Sequence, residues 1–185
     1  GFILCLDSFG EYLWSKSIFY EDSNNFDWET RLDNFKILDQ DNMLFTIYAN
    51  MDPGVNFTPP LHFGPNYTID LSYAAMVEPD PNDYSGYILI KTDSDGNVIF
   101  SNVFTEGTVW PYESFEPIDF VEYDNGSIMV IGHLHQTADI DPNENFEVYH
   151  LDTGTVAAML KVTNNGDFLK SYSKSSRTAK EKSAI

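Results

Sequence analysis

Cysteine occurs once in these 185 residues. A lone Cys5 has no partner within the chain, so a disulfide scaffold is excluded, and its place in the apolar run Phe2–Leu6 suits packing better than nucleophilic chemistry. Basic residues are scarce as well: 10 Lys and Arg stand against 29 Asp and Glu, for a net charge of −19. Such a polyanion repels phosphate, which argues against nucleic acid and against anionic membranes as partners. Long apolar runs are missing too. Stretches such as Val156–Leu160 fall far short of the ~20 residues needed to cross a bilayer as a helix, so no membrane insertion is expected. The opening residues Gly1–Leu6 have neither the basic start nor the small-residue cleavage site of a secretory leader. They read as part of a β-strand, so the chain is expected to be a processed product or a segment of a longer protein. Helical periodicity is also lacking, since no window keeps apolar residues at i, i+3, i+4 and i+7 through three turns.

What is present is a chain rich enough in apolar residues (42%) and aromatics (15%) to build a full core, and too apolar for a disordered acidic tail. The charge is unevenly placed. Residues 170–185 hold Lys170, Lys174, Arg177, Lys180 and Lys182 against Glu181, a balance of +4 in a chain whose remainder therefore carries −23. The segment 174–185, made largely of Ser, Lys, Thr and Ala, is expected to be a basic flexible tail, or to be ordered by an acidic neighbour.

Internal repetition organises the rest. Phe2–Ser15, Ile88–Ser101 and, more weakly, Ala158–Ser171 align as a short apolar strand, a polar turn ending in Gly10, Gly96 or Gly166, and a second strand. Glycine takes the left-handed position of such a hairpin without steric cost, and Asp7, Asp93 and Thr163 stand where a side-chain oxygen accepts a turn N–H. A second hairpin recurs between Phe35–Ile47 and Phe120–Gly132. The expected layout is a first repeat at 1–50, a proline-rich insertion at 51–84, a second repeat at 85–137, an acidic loop at 138–154 and a partial third repeat at 155–173. The insertion contains six of the nine prolines, yet also Phe57, Leu61, Phe63, Tyr67, Leu71 and Tyr73, so an ordered excursion is expected. Two hairpins per unit predict an all-β chain of four-stranded antiparallel β-propeller-like blades, about two and a half repeats long.

The run Ile90-Lys91-Thr92-Asp93-Ser94-Asp95-Gly96-Asn97 with Phe100-Ser101, followed by Asp124-Asn125-Gly126-Ser127-Ile128, resembles the repeats of large secreted bacterial surface proteins, often type IX secretion substrates. The resemblance covers about two and a half units and bears on architecture, with no catalytic residue to carry over. The acidic, cysteine-poor composition and the absence of a catalytic signature favour an extracellular or cell-surface location and a structural, adhesive or protein-binding role. A propeller needs at least four blades to close. The missing ones are expected from the remainder of a longer chain or from other protein chains.

The chemistry-bearing residues are weighed against that background. Sialidase-type turns place Asp two before Gly and Trp three after it, whereas Asp93 is three before Gly96 and Phe100 four after. The two arginines, Arg31 and Arg177, also fall short of the three that clamp a sialic acid carboxylate. With so many acids, pairs suited to glycoside hydrolysis arise by chance, and no Gly-x-Ser-x-Gly elbow is present. Catalysis is therefore not expected. His133 and His135 share a strand face, but two imidazoles do not complete a zinc site. Asp139, Asp141, Asn143, Asn145 and Glu147 place oxygen-bearing side chains at alternate positions, which makes calcium the one candidate ion, although the central Gly and twelfth-position Glu of an EF-hand are missing. Trp28, Trp110, Tyr112 and Phe115 fall in matching stretches of the two repeats. They are read either as packing between blades or, if exposed, as stacking platforms for glycan or peptide. The second option, with the insertion 51–84, defines the alternative reading of a carbohydrate-binding or glycoside-hydrolysing propeller. Of the sequons at Asn56, Asn66 and Asn125, the first is followed by Pro59 and the last reads more simply as a tight turn.

Overall fold

The computed structural model describes residues 1–20, 29–38, 42–51, 60–69, 84–105, 115–139, 148–174 and 179–183. Their strands are β1 (Phe2–Leu6), β2 (Tyr12–Tyr20), β3 (Glu29–Ile37), β4 (Met43–Met51), β5 (Leu61–Phe63), β6 (Thr68–Ile69), β7 (Tyr84–Thr92), β8 (Val98–Thr105), β9 (Phe115–Glu122), β10 (Ile128–Asp139), β11 (Val148–Val162), β12 (Phe168–Lys174) and β13 (Ala179–Ser183). They form three antiparallel sheets: β1-β2-β5-β6, β3-β4-β7-β8 and β13-β12-β11-β10-β9. The chain is thus all-β and built of four-stranded blade-like sheets, the third extended by one edge strand. No described pairing closes them into a ring. Among the described residues no helix is long and apolar enough to cross a membrane.

Burial follows from position in the stack. The second sheet is covered on both faces, so its central strands need apolar residues at successive positions rather than alternate ones. Met43, Leu44, Phe45, Thr46 and Ile47 in β4 are all buried, as are Tyr87, Ile88, Leu89, Ile90 and Lys91 in β7. Alternate residues then feed two cores. Phe45, Ile47, Ile88 and Ile90 meet Trp14, Ile18, Leu61 and Phe63 of the first sheet. Leu44, Leu89, Phe100 and Phe104 meet Phe115, Phe120, Val130, Leu160 and Val162 of the third. β1, covered on one side only, alternates: Ile3 and Cys5 turn inward and Phe2, Leu4 and Leu6 turn out.

Four features depart from the sequence layout. The sheets are cut half a unit out of step with the repeats: residues 1–50 supply β1–β2 to one sheet and β3–β4 to the next, because β4 pairs with β7 along its whole length, from Met43↔Thr92 to Met51↔Tyr84. The described part of the insertion returns to the preceding sheet, where β5 pairs with β2 through Ile18↔Phe63 and Tyr20↔Leu61. Its apolar residues drive this. Phe63 stacks on Phe45 at 5.6 Å, and the Tyr67 hydroxyl lies 2.9 Å from Ser101 Oγ. The stretch 138–154 is strand at both ends, with Ala138↔Tyr149 and Asp139↔Val148 prolonging the β10–β11 hairpin. Finally, residues 179–183, expected within a flexible tail, pair with β12 from Lys170↔Ser183 to Lys174↔Ala179. β12 would otherwise present a bare edge, and a short lysine-rich strand covers such an edge without needing a buried face of its own.

Candidate functional site

The glycine hairpins β1–β2, β7–β8 and β11–β12 share one turn. The N–H groups of Asp7, Asp93 and Thr163 donate to the carbonyls of Glu11, Asn97 and Asp167 at 2.9, 3.0 and 2.8 Å, and each glycine N–H donates back to the first turn residue. Gly10, Gly96 and Gly166 have φ of 84, 75 and 91°. Side-chain oxygens collect the remaining donors: Asp7 Oδ1 accepts the N–H groups of Phe9 and Glu11, both at 2.8 Å, and Asp93 Oδ1 those of Asp95 and Asn97 at 3.0 and 2.8 Å. Thr163 Oγ1 does the same for Asn165 and Asp167. A bulge falls at the same place in each copy, after Cys5, Lys91 and Lys161. Partial burial works to raise the pKa of Asp93, but hydrogen bonds from Asn97 and Asp95, with Lys16 nearby, outweigh it and hold the carboxyl below its ordinary value.

These turns also join the sheets. Trp14, four residues after Gly10, lies on Gly96 of the next sheet: its Nε1 donates to the Ser94 carbonyl at 2.8 Å, and a Cβ on Gly96 would fall 2.8 Å from Trp14 Cδ2. Phe100, four residues after Gly96, lies on Gly166 in the same way, with a Cβ there meeting Phe100 Cγ at 2.7 Å. Asn102 Nδ2 adds a bond to the Gly166 carbonyl at 2.8 Å. Gly10 has the same backbone conformation, and nothing described lies within 4 Å of its Cβ position.

Two lysines reinforce the contact between the second and third sheets. The Lys91 side chain is completely buried, and its ammonium reaches Glu122 Oε1 at 3.4 Å and donates to Asn164 Oδ1. Lys36 reaches the Phe120 carbonyl and, at 3.5 Å, Asp119. Farther along the same strands the Arg31 guanidinium sits 4.3 Å over the Tyr48 ring and donates from Nε to Asp33 Oδ1 at 2.7 Å. Tyr48 and Tyr87 pack with centroids 5.3 Å apart. Burial, helped by the carboxylates of Glu116 and Asp33, pushes Tyr87 up to about 12 against the opposing pull of Arg31. It stays a protonated phenol through the neutral range, suited to hydrogen bonding rather than to proton abstraction. Glu116 also stands 3.8 Å from His133 Nδ1.

The predicted site residues are distributed as follows. Phe115 is fully buried and meets Phe104 edge-on, with centroids 5.5 Å apart. It therefore offers no face to a sugar or peptide and packs between sheets instead. Trp28, Trp110 and Tyr112 lie outside the described residues, as do Asp141, Asn143, Asn145 and Glu147. Asp139 ends β10, and its side chain is likewise outside the description. Among the described residues no group of three or more His, Cys, Asp or Glu is arranged to hold a metal ion. The sequence reading missed Lys91 and the Arg31–Tyr48–Tyr87 stack. The available signal was a lysine interrupting an apolar strand at the same repeat position as Lys161. Neither a protein-family model, nor a curated protein, nor a solved structure matches this chain.

Proposed function

We propose that the chain is a non-catalytic, secreted or cell-surface segment of β-propeller type with a structural, adhesive or protein-binding role. The observation that carries this reading is the use made of its chemically capable groups. Trp14, Phe100, Lys36 and Lys91 are all engaged in holding one sheet to the next. Apolar side chains meanwhile stand on the outer surfaces, with Phe2 75% exposed and Leu4 50%. Exposed apolar area of this kind marks surfaces that meet other protein. The resemblance to secreted surface repeats supports the location. Two measurements test the reading. Purified protein screened against a polysaccharide panel is expected to give no turnover, and external protease applied to intact source cells is expected to release its peptides. Reproducible hydrolysis would overturn the non-catalytic assignment, and complete protection in intact but not lysed cells would overturn the surface location.

A further inference from the structure

The two contacts between sheets obey one rule, and each end of the stack carries half of a third. The outgoing half in the second sheet is Leu89, Lys91 and Phe100, all buried against the third sheet. Seventy positions on, the third sheet carries Met159, Lys161 and Lys170 on its outer face. Met159 is exposed, while the Lys161 and Lys170 ammonium groups stack over Tyr123 and Tyr172 at 4.3 and 4.7 Å. The receiving half in the third sheet is Ala158, Leu160, Val162 and, within the turn, Gly166, all buried. Its counterpart in the first sheet is Phe2, Leu4, Leu6 and the turn Asp7–Glu11, all of whose apolar members are exposed and whose Gly10 is uncovered.

We propose that these halves join: the outer face of the third sheet in one copy docks on the β1–β2 face of a second copy, head to tail. The proposal rests on the protein-binding reading above and names the partner. Continuity with the existing contacts sets the geometry. Met159 takes the place of Leu89 over Leu4, Lys161 reaches the Asp7 turn as Lys91 reaches Asn164, and Lys170 covers Gly10 where the other copies use an aromatic ring. Charge selects the same pairing. Lysine replaces the ring opposite a turn bearing Asp7 and Glu11, and the +4 of residues 170–185 meets a body that is otherwise −23. The interface is heterologous, so copies add in one direction and form a ring if the rotation closes and a filament if it does not.

The test is light scattering of the purified chain over a concentration series. The expected result is association that grows with concentration and weakens with salt, since exposed ion pairs are screened. K161E/K170E and L4K/E11K are each expected to remain monomeric alone and to associate again when mixed, because the reversed charges then face each other. Carbodiimide coupling of mixed light and isotope-labelled parent chains avoids dependence on how the variants fold. It should yield light–heavy peptides joining Lys161 or Lys170 to Asp7 or Glu11. A parent that stays monomeric throughout, or coupled peptides that never pair those residues, would overturn head-to-tail docking and leave the protein-binding reading standing for another partner. Hydrolytic turnover would overturn the non-catalytic assignment without touching the association.

Discussion

Gly10, Gly96 and Gly166 offer a controlled comparison, because one backbone conformation occurs in three surroundings. At all three, an alanine must adopt the left-handed region, which costs about 1–2 kcal/mol. At Gly10 nothing more is added, because nothing described lies within 4 Å of the new Cβ. At Gly96 the same atom would fall 2.8, 2.9 and 3.0 Å from three Trp14 ring atoms. The indole would have to move, losing its bond to the Ser94 carbonyl; overpacking of this kind costs a further ~1–3 kcal/mol. G96A is therefore expected to unfold at lower urea than G10A by about 1–3 kcal/mol, with G166A similar to G96A through Phe100. The assay is urea denaturation at low protein concentration, followed by far-UV circular dichroism. Tryptophan emission provides a second readout, since displacement of the buried Trp14 should shift the folded-state spectrum of G96A and leave that of G10A unchanged. If G10A proves as costly as G96A at dilutions where the chain is monomeric, the difference is not steric. The ring-on-glycine contact between sheets would then be wrong.

Three further outcomes are expected. K91A removes one member of a buried pair whose partner, Glu122, is only 13% exposed, and should cost about 3–5 kcal/mol in urea denaturation, with K91M/E122Q recovering most of it; an equal loss in both variants would deny the pair its role. Tyr87 has its pKa raised to about 12 from 10.0, so its neutral form contributes stability fully present below pH 10 and lost as pH rises through 12; Y87F should flatten the alkaline fall in melting temperature, and an unchanged profile would contradict the burial. Asp93 has its pKa lowered from 3.8, so its charged form contributes stability present above that value and lost as pH falls through the lower folded one; D93N should lose stability at neutral pH and converge with the parent in acid.

How far the sequence reveals this structure depends on the reach of each interaction. The hairpins are legible because their determinants are local: Asp7 to Gly10, Asp93 to Gly96 and Thr163 to Gly166 span one turn each. The grouping of hairpins into sheets is not, because a repeating pattern reads the same in either phase. The choice is made by a non-local pairing such as Tyr48↔Tyr87. β5 and β6, of 3 and 2 residues, are too short to show any alternation. β13, with the sequence Ala-Lys-Glu-Lys-Ser, carries no apolar alternation that would mark it as a strand. Lys91 resembles a surface lysine until the third sheet places Glu122 and Asn164 above it. Phe115 shows the converse limit. Its position between hairpins was visible, whereas burial against Phe104 depends on how two sheets stack.

The return of β5 to β2 has a consequence for the order of events during synthesis. The first sheet is not finished when its β1–β2 hairpin emerges, because the strand that pairs with β2 begins only at Leu61, some 41 residues beyond Tyr20. At about 5–20 residues per second, that edge waits roughly 2–8 s for its neighbour. By then β3 and β4 have also been made, and β7, the next partner of β4, is still to come. Two unfinished sheets thus coexist on the nascent chain until β5 and β6 arrive, because the segment that completes the first sheet lies beyond the first two strands of the second. All strands of the first sheet are made before β7 begins at Tyr84, so the first sheet can be completed while β4 still lacks its partner. A chain halted between Met51 and Leu61 exposes the open edges of both β2 and β4 to whatever strand arrives first.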